Sequence, residues 1–163
     1  QRADRLLGQP DDAKLANDVA KMNGALGELE ASVQVFHRLP PSAHGRKGLF
    51  DGVSKALLEE RRYGLVLEMA DPVAAVAGEI DIYRRLRVTR PSSAERGTGR
   101  GTKAFVLERG LLFVEALAAQ GQDEKCREVI AMLLGIEASE AWQAPIQSAL
   151  TAAGRSDLWE AAQ

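Results

Sequence analysis

The sequence predicts an all-α protein, and three observations lead to that fold class. Alanine and leucine are the two most abundant of the 163 residues, arginine and glutamate are also frequent, and all four favour helices. Apolar residues recur every three or four positions over long stretches, which is the period of a helix. Alternation of apolar and polar residues, which is typical of strands, is brief, as at Ile80-Asp81-Ile82. We therefore expect about eight or nine helices.

The totals exclude several classes of protein. Lysine and arginine number 21 against 23 acidic residues, so the net charge of −2 indicates neither a nucleic-acid binder nor a membrane-surface protein. The single cysteine, Cys126, excludes an internal disulfide framework and leaves cytoplasm and periplasm equally open. No apolar run reaches the roughly 18 residues of a membrane span. Because the chain opens at Gln1 without a signal peptide, we expect a soluble fragment or a processed mature form.

The first helical region follows Asp11 and Asp12, which are suited to cap a helix. Its apolar residues form one stripe with steps of four and three: Leu15, Val19, Met22, Leu26, Leu29, Val33 and Phe36. One long helix, or a short coiled coil, is compatible with this stripe. We favour two antiparallel helices with a break near Gly27, since glycine weakens a helix interior.

In the rest of the chain, proline and glycine mark the predicted ends of helices. Pro40 and Pro41 end the second helix, and Asp71-Pro72 starts a helix that reaches Arg87. The remaining helices are predicted at Arg46–Glu59, Tyr63–Ala70, Phe105–Gln120, Asp123–Leu134, Ser139–Ala153 and Asp157–Ala162.

The turns recur with a period. Gly27 and Arg61 are 34 residues apart, and Gly121 and Gly154 are 33 apart. The strings "LGELEASVQVFHRL", "LEERRYGLVLEMA", "AAQGQDEKCREVIAML" and "TAAGRSDLWEA" each give a helix end, a polar turn and a second amphipathic helix. This pattern resembles the tetratricopeptide repeat, a 34-residue helix–turn–helix unit. The resemblance implies a right-handed α-solenoid of antiparallel helix pairs over about two-thirds of the chain.

The resemblance assigns residues to the family's helix positions. The leucine site of the first helix falls on Val19, Val53, Phe113 and Ile146, and the tyrosine site on Asn23, Leu57, Leu117 and Leu150. In the second helix the small site falls on Ser32, Val66, Cys126 and Trp159, and the aromatic site on Phe36, Ala70, Ile130 and Gln163. The family's tryptophan is replaced by Ala16, Phe50, Gly110 and Gln143, and 60 residues separate Arg61 from Gly121. An unrelated helical bundle is the alternative.

The stretch "SSAERGTGRGTK" resembles a phosphate-binding loop only superficially. In that motif a lysine directly follows the last glycine, whereas here Thr102 intervenes before Lys103, and no buried strand precedes the loop. We therefore expect residues 88–102 to be a flexible basic linker between a helical block at 1–87 and another at 103–163.

The basic residues around this linker carry the alternative function. Between Arg84 and Lys103 there are seven basic residues and one acid, Glu95. Such a segment could bind nucleic acid or another anion, although no aromatic residue is present for base stacking. The seven are Arg84, Arg85, Arg87, Arg90, Arg96, Arg100 and Lys103.

The resemblance implies a non-enzymatic scaffold that binds a peptide or partner protein in a groove lined by first helices. The groove positions would be Lys14, Asn17, Lys21, Asp51, Lys55, Glu108, Glu115 and Ser148. No catalytic motif, metal site or cofactor is indicated: His37 and His44 lack a third ligand nearby, and Cys126 is expected to be a buried thiol. The sequence does not indicate the partner's identity or the oligomeric state.

Overall fold

The computed structural model describes residues 29–38 and 46–162. Lys14, Asn17 and Lys21, the break near Gly27, and His44 lie outside those ranges. Within them, helices take up 82% of the residues and there is no strand, which confirms the all-α class. The helices are α1 (Leu29–Arg38), α2 (Arg46–Glu59), α3 (Tyr63–Met69), α4 (Pro72–Thr89), α5 (Pro91–Arg96), α6 (Lys103–Ala119), α7 (Asp123–Ile136), α8 (Glu140–Ala152) and α9 (Asp157–Ala162).

The chain divides into two compact units between Met69 and Ala70. In the first unit, α1, α2 and α3 pack against one another. The stripe predicted from the sequence faces this core, because Leu29, Val33 and Phe36 are all buried on α1. The sequence placed the division later, at residues 88–102, which belong to the second unit.

The second unit is organised around α6. This helix is apolar on nearly every side, and α4, α7 and α8 all pack against it. Gly110 allows the closest approach, since a Cβ at this position would lie 2.5 Å from Cδ2 of Leu133 on α7. The repeat phase predicted from the sequence put Gly110 at the tryptophan position, and the short distance to Leu133 leaves no space for a large side chain here.

Three hairpin turns share one geometry, in which a helix ends with a residue of positive φ. That residue is Arg61 (58°) between α2 and α3, Gly121 (71°) between α6 and α7, and Gly154 (72°) between α8 and α9. In each turn the next amide donates a hydrogen bond to a leucine carbonyl five residues earlier, with lengths of 2.7, 2.9 and 2.8 Å. This is the Schellman arrangement that ends many helices. The leucines are Leu57, Leu117 and Leu150, each fully buried.

The interval between Arg61 and Gly121 breaks the period because it contains α4 and α5. The predicted linker 88–102 is therefore not one irregular stretch. It includes the end of α4 and all of α5, which starts with Pro91 and buries Ala94. The turn that follows has Gly101 at φ 89° against Ile82 and Leu86 of α4, and Thr102 caps α6 by accepting a hydrogen bond from the Phe105 amide.

In the described ranges, no helix has the combination of length and apolar character that crossing a bilayer requires.

Candidate interaction surfaces

The second unit has a mixed apolar and acidic strip along α6. Glu108 is exposed, Glu115 is half-buried, and the two lie two helical turns apart on one face. Between them, Leu111 and Leu112 remain half-exposed. Both glutamates were predicted from the sequence and neither leucine was, because a leucine in an apolar helix resembles a core residue. We call Glu108, Leu111, Leu112 and Glu115 the α6 strip.

The other predicted groove residues are partly at the surface. Ser148 is exposed on α8, the helix that packs beside α6. Asp51 and Lys55 are exposed on α2 in the first unit, one turn apart on the same helix. Glu108, Glu115 and Ser148 thus belong to one unit, and Asp51 and Lys55 belong to the other.

Four of the seven predicted basic residues bind carboxylates. Arg85 pairs with Asp81 at 3.0 Å, and Arg87 pairs with Glu95 at 3.6 Å. Arg100 and Lys103 are held by the acids discussed below. The remaining three are exposed and have no carboxylate partner in the described part of the chain: Arg84, Arg90 and Arg96.

Lys103 joins three helices. Its ammonium group binds Glu137 at the end of α7 and lies 3.5 Å from Glu95 of α5. The hydrogen bond to Glu137 raises the pKa of Lys103, and in return Lys103 and Ser139 lower the pKa of Glu137. Glu95 also accepts a 2.5 Å hydrogen bond from the Tyr83 hydroxyl, which is the main reason that the pKa of Glu95 is lowered. These bonds fix α5 between α4 and α6.

A second charged cluster contains a buried carboxylate. Glu79 of α4 is buried, and its Oε1 accepts a 2.7 Å bond from Arg100. Its other oxygen, Oε2, has no hydrogen-bond partner among the described residues. The guanidinium groups of Arg100 and Arg109 lie 4.9 and 5.1 Å from the centre of the Phe105 ring, within cation–π range. The cluster anchors the turn before α6.

Cys126 is not suited to nucleophilic chemistry. Its side chain is fully buried, and its thiol is 3.6 Å from the Val114 carbonyl oxygen. Burial raises the pKa of Cys126 to about 11, so the reactive thiolate is scarce near neutral pH. His37 lies on α1, and the described ranges contain no cluster of three metal-ligating side chains.

An open groove of about 540 Å³ runs between α4 and α7. Ile80 and Met132 form its apolar part, and Arg84 lines it as well. This groove was not predicted from the sequence. The only sequence signal is the run of small residues in "AAVAG", together with Gly135 in α7, and small residues also occur where helices pack tightly.

Comparison of the chain with protein-family models, with curated proteins and with solved structures finds no match.

Proposed function

We propose that this chain is a non-enzymatic protein-interaction module that binds a peptide or a segment of a partner protein. The observation that carries the proposal is the α6 strip, in which two half-exposed leucines lie between two glutamates. Partially exposed leucines supply apolar contact area, and flanking charges select a partner by complementarity. The partner segment is expected to carry apolar side chains together with lysine or arginine.

The proposed architecture is a tetratricopeptide-like array. Its support is the Schellman turn that recurs after α2, α6 and α8, each time with a fully buried leucine at the same position. In that family first helices line the binding groove, and here the first helices are α2 in the first unit and α6 and α8 in the second. The proposed contact residues are Lys14, Asn17, Lys21, Asp51, Lys55, Glu108, Glu115 and Ser148.

The alternative, binding of nucleic acid or another anion by the segment 84–103, has weaker support. Four of its seven cations bind carboxylates of the described chain, which leaves fewer charges for phosphate groups.

The test selects displayed peptides that bind the intact chain and measures their affinities for single variants. Glu108→Lys reverses an exposed charge of the α6 strip, and we expect it to weaken the selected peptides at least fivefold. Glu128→Lys, which reverses an exposed charge on α7, is the matched control and should leave affinity unchanged. Both variants should melt within a few degrees of the parent, since exposed substitutions usually cost less than about 0.5 kcal/mol.

Selected peptides that bind the Glu108→Lys variant as tightly as the parent would overturn the α6 strip as the binding surface. Failure to enrich any peptide, combined with salt-sensitive binding of single-stranded DNA, would favour the anion-binding alternative.

A further inference from the structure

We propose that the groove between α4 and α7 is a second docking surface, which takes an acidic amphipathic helix of a partner protein. The groove is separate from the α6 strip and its proposal does not depend on peptide binding there. Its lining residues are Ala77, Gly78, Ile80, Asp81, Arg84, Met132 and Gly135.

The shape of the groove suits the close approach of another backbone. A Cβ built on Gly78 or on Gly135 would have no atom within 4 Å, so both helices leave open space where a side chain would otherwise stand. Ala77 and Ala131 are also exposed and add little bulk. Ile80 and Met132 lie lower, as buried and half-buried side chains, and offer an apolar contact.

The charge of the groove selects an acidic occupant. Arg84 lines the groove, is exposed, and has no carboxylate partner in the described part of the chain. The one acid in the lining, Asp81, is already bound by Arg85 at 3.0 Å. A carboxylate of the occupant would therefore meet positive charge that the chain itself does not neutralise.

An apolar side chain extends the same surface. Among the described residues, Val88 is the large hydrophobic residue that is exposed to solvent, with 83% of its surface accessible. It follows Arg84 by four positions, as Arg84 follows Ile80, so the three share one face of α4. The face thus alternates apolar, basic and apolar groups, which complements an occupant with apolar and acidic groups one turn apart.

A helix fits this groove better than an extended peptide or a nucleic acid. The backbone groups of α4 and α7 are bonded within their helices, so neither offers the free strand edge that an extended peptide would pair with. A nucleic acid would require several unneutralised cations or aromatic platforms. Arg84 is the one cation that lines the groove, and no aromatic residue lines it.

The test is a selection with the intact chain against displayed helices of about 20 residues, a length near 30 Å. The library has a fixed leucine stripe and random charged residues on both flanks. We expect the enriched helices to be rich in glutamate and aspartate. Gly78→Leu, which fills the groove, and Arg84→Glu, which reverses its charge, should each weaken the enriched helices at least tenfold.

Two controls accompany these variants. Arg127→Glu reverses an exposed charge on α7 outside the groove lining and should leave affinity within twofold of the parent. Glu108→Lys alters the α6 strip and should have no effect on the acidic helices, which separates this proposal from the proposed function. Unchanged helical circular dichroism and melting temperature establish that Gly78→Leu still folds.

Three results would overturn the proposal. The first is a selection that enriches no helix, or only basic helices. The second is a set of enriched helices that bind both groove variants as tightly as the parent. A third is tight binding of a single-stranded oligonucleotide that is lost in Arg84→Glu while no acidic helix binds, which would assign the surface to nucleic acid instead.

Discussion

Arg155 holds Asp123 with both terminal nitrogens, at 2.9 Å to each carboxylate oxygen. The two residues are 32 positions apart, and Arg155 directly follows the positive-φ Gly154. The first unit has a counterpart, because Arg62 follows the positive-φ Arg61 and binds Glu30, also 32 positions away. Arg155 thus ties the turn between α8 and α9 to the start of α7. Arg62 ties the turn between α2 and α3 to α1.

Acid should destabilise the second unit by protonating the carboxylates of its ion pairs. Hydrogen bonds from Arg155 lower the pKa of Asp123 and of Asp157 below the ordinary 3.8, and Lys103 lowers that of Glu137 below 4.5. A carboxyl group whose pKa is lower in the folded than in the unfolded protein stabilises the fold at pH values above its unfolded pKa. This stabilisation is lost as the pH falls through its folded pKa. We expect the melting temperature to decline from about pH 4.5 downward. Asp123→Asn should make the decline shallower, and an identical slope in the variant and the parent would contradict the prediction.

Gly110→Ala should destabilise the fold. Its Cβ would lie 2.5 Å from Cδ2 of the fully buried Leu133, so either this side chain or the two helices would have to shift, at a cost of about 1–3 kcal/mol. Gly78→Ala is the matched control, because its Cβ meets open space and alanine favours a helix interior by about 1 kcal/mol. Urea unfolding measures both free energies. Equal stabilities for the two variants would show that the contact with Leu133 is relieved without cost.

Arg61→Gly should stabilise the first unit. Arg61 has φ 58°, a conformation that costs an L-residue roughly 1–2 kcal/mol and that glycine adopts freely. The greater freedom of glycine in the unfolded chain offsets part of this gain, so we expect a net increase of about 0.5 kcal/mol. Calorimetry of the variant measures the change. A lower melting temperature would mean that the Arg61 side chain contributes more than its backbone costs.

Removing Arg100 should cost more than removing the charge of Glu79. Arg100→Met leaves the buried Glu79 carboxylate without its 2.7 Å partner, and the loss of a charged hydrogen bond costs about 1.5–3 kcal/mol. Glu79→Gln keeps a group that can accept a hydrogen bond from Arg100 and removes the buried charge. We therefore expect the double variant to recover part of the stability that Arg100→Met loses. Strictly additive free energies in urea would show that the two side chains act independently.

Much of the helical order could be predicted because the signals that set it are local. Asp71-Pro72, Gly121 and Gly154 mark helix ends through the conformations of the residues themselves. The predicted Arg46–Glu59 and Asp157–Ala162 agree with the observed bounds of α2 and α9. The repeat phase likewise placed Leu57, Leu117 and Leu150 at equivalent sites, and all three are fully buried.

The partners of the basic segment could not be predicted because they are distant in sequence. Arg100 and Glu79 are 21 residues apart, and Lys103 and Glu137 are 34 apart. α5 was missed for a similar reason, since its six residues bury Ala94 and bind Tyr83, Arg87 and Lys103 through Glu95. Its helix depends on tertiary contacts that composition does not show. The open groove was missed because alanine and glycine look the same in sequence whether they face solvent or a neighbouring helix.

The bond between Arg155 and Asp123 also makes the closure of the α6–α7 turn depend on a residue that is synthesised later than the turn. Asp123 is translated 32 residues before Arg155, so the turn cannot be closed until Arg155 has been added. Arg155 then arrives and binds Asp123, Asp157 and the Ala118 carbonyl oxygen at the end of α6. A nascent chain released just before Arg155 would keep the hairpin without this closure, and its turn would remain accessible to proteases for longer.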